Sequence, residues 1–140
     1  MRLVSVYTEP EAVDVLYRLM EERPRESWIT HEGLPTREEH LQFVRSIPFL
    51  CWYLIEEGGY IGAIECNDRN ELAISVLKEF QRKGYGTRAL KLFFSLHKPL
   101  PAIPAIRNGH WLANIAHGND YSKIFFSRLG FSPLQTTYVL

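Results

Sequence analysis

The sequence predicts a mixed α/β domain with helices on both faces of one sheet. Three observations lead there. Helical and strand-like apolar periodicities follow one another along the chain, a Gly58-Gly59 pair joins two strand-like runs, and no linker, repeat or low-complexity tract divides the 140 residues. A chain of that length fits one domain, residues 1–140, and its 46% of hydrophobic side chains can fill a real core.

Leu3 to Tyr7 reads as a first strand. Glu9-Pro10-Glu11 reads as a helix start, because proline presets the first helical φ and acids complement the unpaired amides there. Val13, Leu16, Tyr17 and Met20 then recur at helical spacing, and Pro24 ends the pattern. Thr36 is an expected N-cap for a second helix, with Glu39 three residues on completing a capping box. Leu41, Val44 and Ile47 fit its buried stripe, and Pro48 stops it.

Phe49–Glu57 and Tyr60–Cys66 are strand-like, and the two glycines between them supply the positive φ angles of a tight hairpin. With a two-residue loop Glu57 pairs with Tyr60, which sets Cys51 opposite Cys66 and puts Ile61, Ala63 and Glu65 on one face. Two reduced thiols packed between strands are expected there, the alternative being a redox pair. Leu72 to Leu77 is a fourth strand, followed by a glycine-containing turn and a helix from about Thr87 to His97. The run Lys98-Pro99-Leu100-Pro101-Ala102-Ile103-Pro104 cannot be helix, since proline lacks the amide donor. Trp111–Ala116 reads as a fifth strand, Tyr121–Leu129 as a last helix capped by Gly130, and Phe131–Leu140 as one more strand or a short hairpin.

Sixteen basic residues balance sixteen acidic ones, so no strong field favours a nucleic acid or a membrane surface. No run approaches the length of a membrane-spanning helix, and the first residues lack the apolar core of a signal peptide. A soluble, cytoplasmic protein is expected. The cysteines, Cys51 and Cys66, form no C-x-x-C pair and no cluster of zinc spacing, so no metal is expected.

The segment Gln81-Arg82-Lys83-Gly84-Tyr85-Gly86-Thr87 is the most informative. It places a short basic loop with two glycines between a buried strand and a helix start. Helix N-termini leave amide N–H groups unpaired and carry partial positive charge, and glycines let the backbone approach an anion. That combination is a phosphate cradle. It lacks the G-x-x-x-x-G-K-[ST] of a Walker loop and the third glycine of a dinucleotide fingerprint.

Gln81, Gly84 and Gly86 match the [QR]-x-x-G-x-[GA] signature of the GNAT superfamily of N-acetyltransferases, which this chain resembles. A second match runs from Asn119 through Ser122 and a helix to Gly130-Phe131. Their order and separation agree with the family across nearly the whole chain. The resemblance implies a mostly antiparallel sheet of about six or seven strands. It implies an acyltransferase moving an acetyl group from acetyl-CoA, a co-substrate, to a primary amine: a small amine, a protein N-terminus or a lysine. The alternative is a CoA-binding regulatory or interaction module with weak or no turnover.

By the same resemblance Val76 and Leu77 lie along the pantetheine arm, and an amide near Leu77 stabilises the developing oxyanion. The backbone of Arg82, Lys83, Gly84, Tyr85, Gly86 and Thr87 binds the pyrophosphate, with Arg88 adding charge; Asn119 bonds the CoA arm, and Phe125 and Phe126 line its channel. Many members place a tyrosine where this chain has Phe126, which cannot protonate a leaving thiolate; Tyr121 and Ser122 are the nearby substitutes. Glu65 and Glu71 are candidate bases, with His31 and His117 further options. Trp28, His31 and Glu32 occupy the loop expected at the acceptor side. The proline-rich run is expected to shape that side or a homodimer contact.

Overall fold

In the computed structural model, which describes residues 1–30 and 32–140, the chain runs β1 (Arg2–Ser5), α1 (Ala12–Glu22), α2 (Arg37–Arg45), β2 (Cys51–Glu56), β3 (Tyr60–Cys66), β4 (Leu72–Val76), α3 (Tyr85–Leu96) and α4 (Asp120–Arg128). The strands form one antiparallel sheet in sequence order, β1-β2-β3-β4. Their period-2 pattern divides the core in two. Trp52, Leu54 and Ala63 face Ala12, Leu16 and Leu19 of α1 and Val44 of α2. Ile55, Ile64, Cys66 and Leu72 face Ala89, Leu90 and Phe93 of α3 and Phe126 of α4. Helices therefore cover both faces, as expected from the order of the elements.

The capping box on α2 is formed in both directions: Glu39 N–H donates to Thr36 Oγ1 at 3.2 Å, and Thr36 N–H to Glu39 Oε2 at 2.9 Å. The buried stripe of that helix differs from expectation. His40 and Val44 are the buried pair, while Ile47 lies beyond the C-cap Ser46 with φ 52° and is exposed. The His40 ring fits inside because Nε2 meets the Val13 carbonyl at 2.9 Å and its face tilts against Tyr17.

The β2–β3 hairpin pairs Cys51 with Cys66, as the glycine turn predicts, but its last pair is Glu56 with Tyr60 rather than Glu57 with Tyr60. One residue of β3, Ile61, is unpaired with β2 because the register shifts between Ile55 and Glu56. This bulge flips Ile61 to the α3 side, away from Ala63, so the expected shared face of Ile61, Ala63 and Glu65 holds only for the last two. Both thiols are free, and burial pushes the Cys66 thiol up to about 12, so it stays protonated and inert.

The sheet has four strands, where six or seven were expected. The segment 111–116 touches β4 through one parallel bridge, Glu71 with Leu112. Leu72 N–H donates to the Leu112 carbonyl at 2.8 Å, and Leu112 N–H to the Asn70 carbonyl at 2.9 Å. Trp111, Ala113 and Ile115 then pack towards α3 and α4, which draws the chain off the ladder. With no fifth strand beside it, the segment 132–140 has no edge to join, and it is exposed. The proline-rich run is anchored on Asn70, whose buried side-chain amide donates to the carbonyls of Leu100 and Asn108 and accepts from Leu100 N–H.

At Gly62 the β3 and β4 backbones approach so closely that a Cβ would collide with the Ser75 carbonyl oxygen. Gly62→Ala is expected to destabilise the fold by about 2 kcal/mol or more. An unchanged urea midpoint for the variant would refute that account of the close approach.

Candidate active site

A cavity of about 720 Å³ opens where β4 and the segment after residue 112 part, within the range of small-molecule sites. One wall is β4, with Ile74, Ser75 and Val76; opposite stands α4 with Asn119, Tyr121, Ser122, Phe125 and Phe126. The loop 81–87 and the last turn of α1 with residues 24, 26 and 27 complete the lining.

The loop geometry follows from two left-handed residues. Arg82 (φ 59°) and Gly84 (φ 81°) flank Lys83, turning successive N–H groups towards one side, as in anion-binding nests. The first bonded amide of α3 is Arg88, which donates to the Gly84 carbonyl at 3.1 Å. The amides of residues 82 to 87 have no backbone partner among the described residues. Gln81 ties the loop to the strand end, Nε2 donating to the Val76 carbonyl at 2.8 Å. Gly86 is set by packing as well as by anion approach, since a Cβ there would stand 3.3 Å from the Phe125 ring. Tyr85 packs edge-on to Phe80, and Thr87 lines the cavity.

The charges of the loop separate. The Arg82 guanidinium lies over the Tyr121 ring, 5.8 Å from its centre, and Lys83 Nζ donates to the Glu79 carbonyl. Arg88 points elsewhere: it pairs with Glu57 at 3.1 Å, which also binds the N-terminal ammonium at 2.8 Å. Arg88 therefore stands outside the cavity lining, although its neighbours in sequence form it.

Strand alternation assigns the amides of β4. Leu77 N–H donates inward to the Ile61 carbonyl at 2.9 Å, and its side chain is 1% exposed in the α1 core. Its amide is thus spent, and Leu77 lies outside the lining. Leu72 N–H points to the opposite edge, so Ile74 and Val76 N–H, two and four residues on in a strand with unbroken register, point there too. Of Val76 and Leu77, both named from the sequence, only Val76 has an outward amide; inward and outward amides cannot be told apart without the pairing.

On the other side of the cavity, Asn119 caps α4, its Oδ1 accepting from Ser122 N–H at 3.2 Å. Ser122 and Asn119 both line the cavity. Tyr121 is half-exposed near the phosphate loop. Phe125 borders Gly86, and Phe126, 6% exposed, is part of the α3-side core as well as the cavity wall.

The candidate bases fall in different places. Glu71 is held in the β3–β4 turn, Oε2 accepting from Asn67 Nδ2 at 2.7 Å, and is outside the cavity. His117 is exposed and also outside it. Glu65 pairs across the sheet with Trp52 and Ala73, on the α1 face, one diagonal step from Ser75 in the wall. Burial pushes its carboxyl up to about 7, against the downward pull of the nearby Arg23 guanidinium. Trp28 is half-buried and Glu32 exposed, both outside the lining; His31 lies outside the described residues. Glu22, Arg23, Glu26 and Ser27 also line the cavity, which the sequence does not mark because nothing in their spacing identifies a helix end as a wall. Among the described residues no group of His, Cys, Asp and Glu could hold a metal ion, and no helix is long and apolar enough to cross a membrane.

The model of the acetyltransferase (GNAT) family matches residues 13–131. No curated protein sequence matches the chain. Among solved structures, an acetyltransferase from Thermus thermophilus superposes with a TM-score of 0.71 at 19% identity, over 94% of this chain and 86% of that one. An aminoglycoside antibiotic 6'-N-acetyltransferase from Acinetobacter haemolyticus gives 0.67 at 15% identity, over 100% and 97%. AAC(6')-Iy, in complex with the bisubstrate analogue CoA-S-monomethyl-acetylneamine, gives 0.63 at 16% identity, over 99% and 94%. At these identities the likeness is one of fold.

Two outcomes test the geometry. Gly84 holds φ 81°, strained for a side chain but better tolerated by Asp and Asn than by other residues, so Gly84→Asp is expected to fold at some cost in stability and to lose anion binding at the loop, read by calorimetry with CoA, because it adds negative charge there. Gly84→Asn, neutral and tolerant of positive φ, should keep most of it; equal affinities for the two variants would refute the loop assignment. Glu65 binds its proton more tightly folded than unfolded, so its contribution is lost as pH rises from the ordinary 4.5 through about 7. Glu65→Gln should therefore gain stability over the native chain at pH 8, by at most about 3 kcal/mol, and gain nothing at pH 4, as read from denaturant midpoints.

Proposed function

Because the chain belongs to the acetyltransferase (GNAT) family, we propose that it moves an acetyl group from acetyl-CoA to a primary amine by direct attack. The observation that carries this reading is the run of unpartnered amides from 82 to 87, continuous with the open edge of β4. A diphosphate answers the first, and an extended amide-bearing arm the second, as an added strand would. The CoA analogue bound by AAC(6')-Iy supports the same ligand class.

In this scheme Val76 N–H faces the thioester carbonyl and stabilises the negative charge that develops on its oxygen. Ile74 offers the next outward backbone pair to the arm, while the Val76 carbonyl is already taken by Gln81. Asn119 and Ser122 border the arm on the α4 side, and Phe125 and Phe126 give it an apolar wall. Glu65 takes the amine proton, through the Ser75 hydroxyl or a water, at a pKa of about 7 suited to neutral solution. Phe126 offers the departing thiolate no proton, and we read Tyr121, whose ring lies under the Arg82 guanidinium, as a binding residue. Water protonates the thiolate.

Phe126 favours a second reading, CoA binding without turnover. Thiol release from acetyl-CoA over a panel of amines separates the two. The expected result is turnover whose kcat/KM rises through about pH 7, an acidic limb that Glu65→Gln removes while lowering kcat by roughly 10²–10⁴-fold. Tight CoA binding with no thiol release from any amine would establish the second reading. A pH profile unchanged in Glu65→Gln would take the base role from that residue.

A further inference from the structure

The stretch of cavity wall formed by the end of α1 uses its charges unevenly. Glu22 pairs with Arg18 at 3.3 Å, and its other oxygen accepts the Lys78 amide at 2.8 Å. Glu26 lies exposed at the rim. Arg23 is half-buried and lines the wall, yet it forms no ion pair with any carboxylate among the described residues. Its bonds go to one neighbour, Nε to Ser27 Oγ at 3.1 Å and Nη2 to the Ser27 carbonyl at 3.4 Å. Ser27 Oγ in turn donates to the Pro24 carbonyl at 2.7 Å, so the guanidinium is held in place by a fixed turn.

A guanidinium has five donors in a planar fork. Two bonds to Ser27 leave Nη1 and one Nη2 hydrogen unclaimed. Drawing such a group into a wall without an anionic partner is unfavourable, and a bidentate carboxylate is the partner whose geometry it matches. Glu65 is close enough to feel the charge of Arg23, and Ser75, its diagonal neighbour, is part of the same wall. Arg23 and Ser75 therefore line one cavity, with the Glu65 carboxyl one diagonal step behind Ser75 and outside the lining. A polycationic acceptor would set its second charge against Arg23, at a Coulombic cost.

The geometry points to an acceptor that carries its own carboxylate a few bonds from the reacting amine, a free amino acid, with Arg23 holding the carboxylate and the amine before Ser75 and Glu65. This rests on the acetyl-transfer reading above. In the step, the amine nitrogen forms a C–N bond to the acetyl carbonyl carbon, the C–S bond breaks, and the sulfur leaves with the electron pair. The amine proton passes to Glu65. No oxidant or reductant is needed.

The test is calorimetry on the CoA-loaded full chain with free amino acids, their amides, the matching decarboxylated amines and neamine. Amino acids should bind at least about tenfold more tightly than analogues lacking the carboxylate. Arg23→Gln should weaken amino-acid binding by about tenfold or more and leave CoA affinity within about twofold, and Arg23→Lys should recover part of the loss. In turnover the loss should fall on KM, with kcat little changed. Equal binding of decarboxylated amines or of neamine, no binding of any amino acid, or unchanged affinity in Arg23→Gln would each overturn the assignment while leaving acetyl transfer standing. Failure of CoA itself to bind would defeat both.

Discussion

Everything in this fold turns on backbone groups that the chain leaves without partners along one side of β4. A buried sheet edge ordinarily has to be covered, because an unpaired amide or carbonyl out of water is costly. Here the next segment bonds β4 at Leu72 and then departs, leaving Ile74 and Val76 facing a cavity. The edge continues into the turn where Arg82 and Gly84 rotate further amides the same way. One ligand that is amide-bearing along its length and anionic at its end would satisfy both stretches at once, as the proposed acetyl-CoA reading requires.

Much of this was legible in the sequence, and the reasons are specific. The phosphate loop depends on residue types at fixed offsets, so Gln81, Gly84 and Gly86 announce it. The capping box on α2 is equally local. The paired cysteines followed from the Gly58-Gly59 turn by counting. The parts that escaped depend on partners distant in the chain. Whether an amide of β4 points inward was decided by Ile61, so the sequence names Val76 and Leu77 together without separating the outward amide from the inward one. Trp111–Ala116 has the composition of a strand, but Asn70 holds Leu112 at the start of β4 and the aromatic packing behind it pulls the rest away.

The same division applies to the cavity wall. Trp28 and Glu32 stand out in sequence because they sit in a polar, aromatic loop, whereas the residues lining the cavity nearby come from the plain end of α1. Arg23 carries no motif. What distinguishes it appears only with its neighbours in place, since among the described residues none of the surrounding carboxylates forms an ion pair with it. Glu65 is a similar case: alternation put it on a face, but the burial that lifts its carboxyl to about 7 comes from the packing of α1 over the sheet. Folding thus favours the protonated acid, while the proposed reaction asks the same residue to accept a proton, which would set stability against chemistry there.

The unpaired Ile61 has a consequence for how this architecture tolerates change. The irregularity lies between the hairpin tip and the rows that carry Glu65, Ser75 and Val76. A slipped or lengthened tip would be absorbed there, as a slack link takes up play before it reaches a gear train. The rows beyond keep their alignment, so the hairpin can drift over evolutionary time while the working surface stays in step.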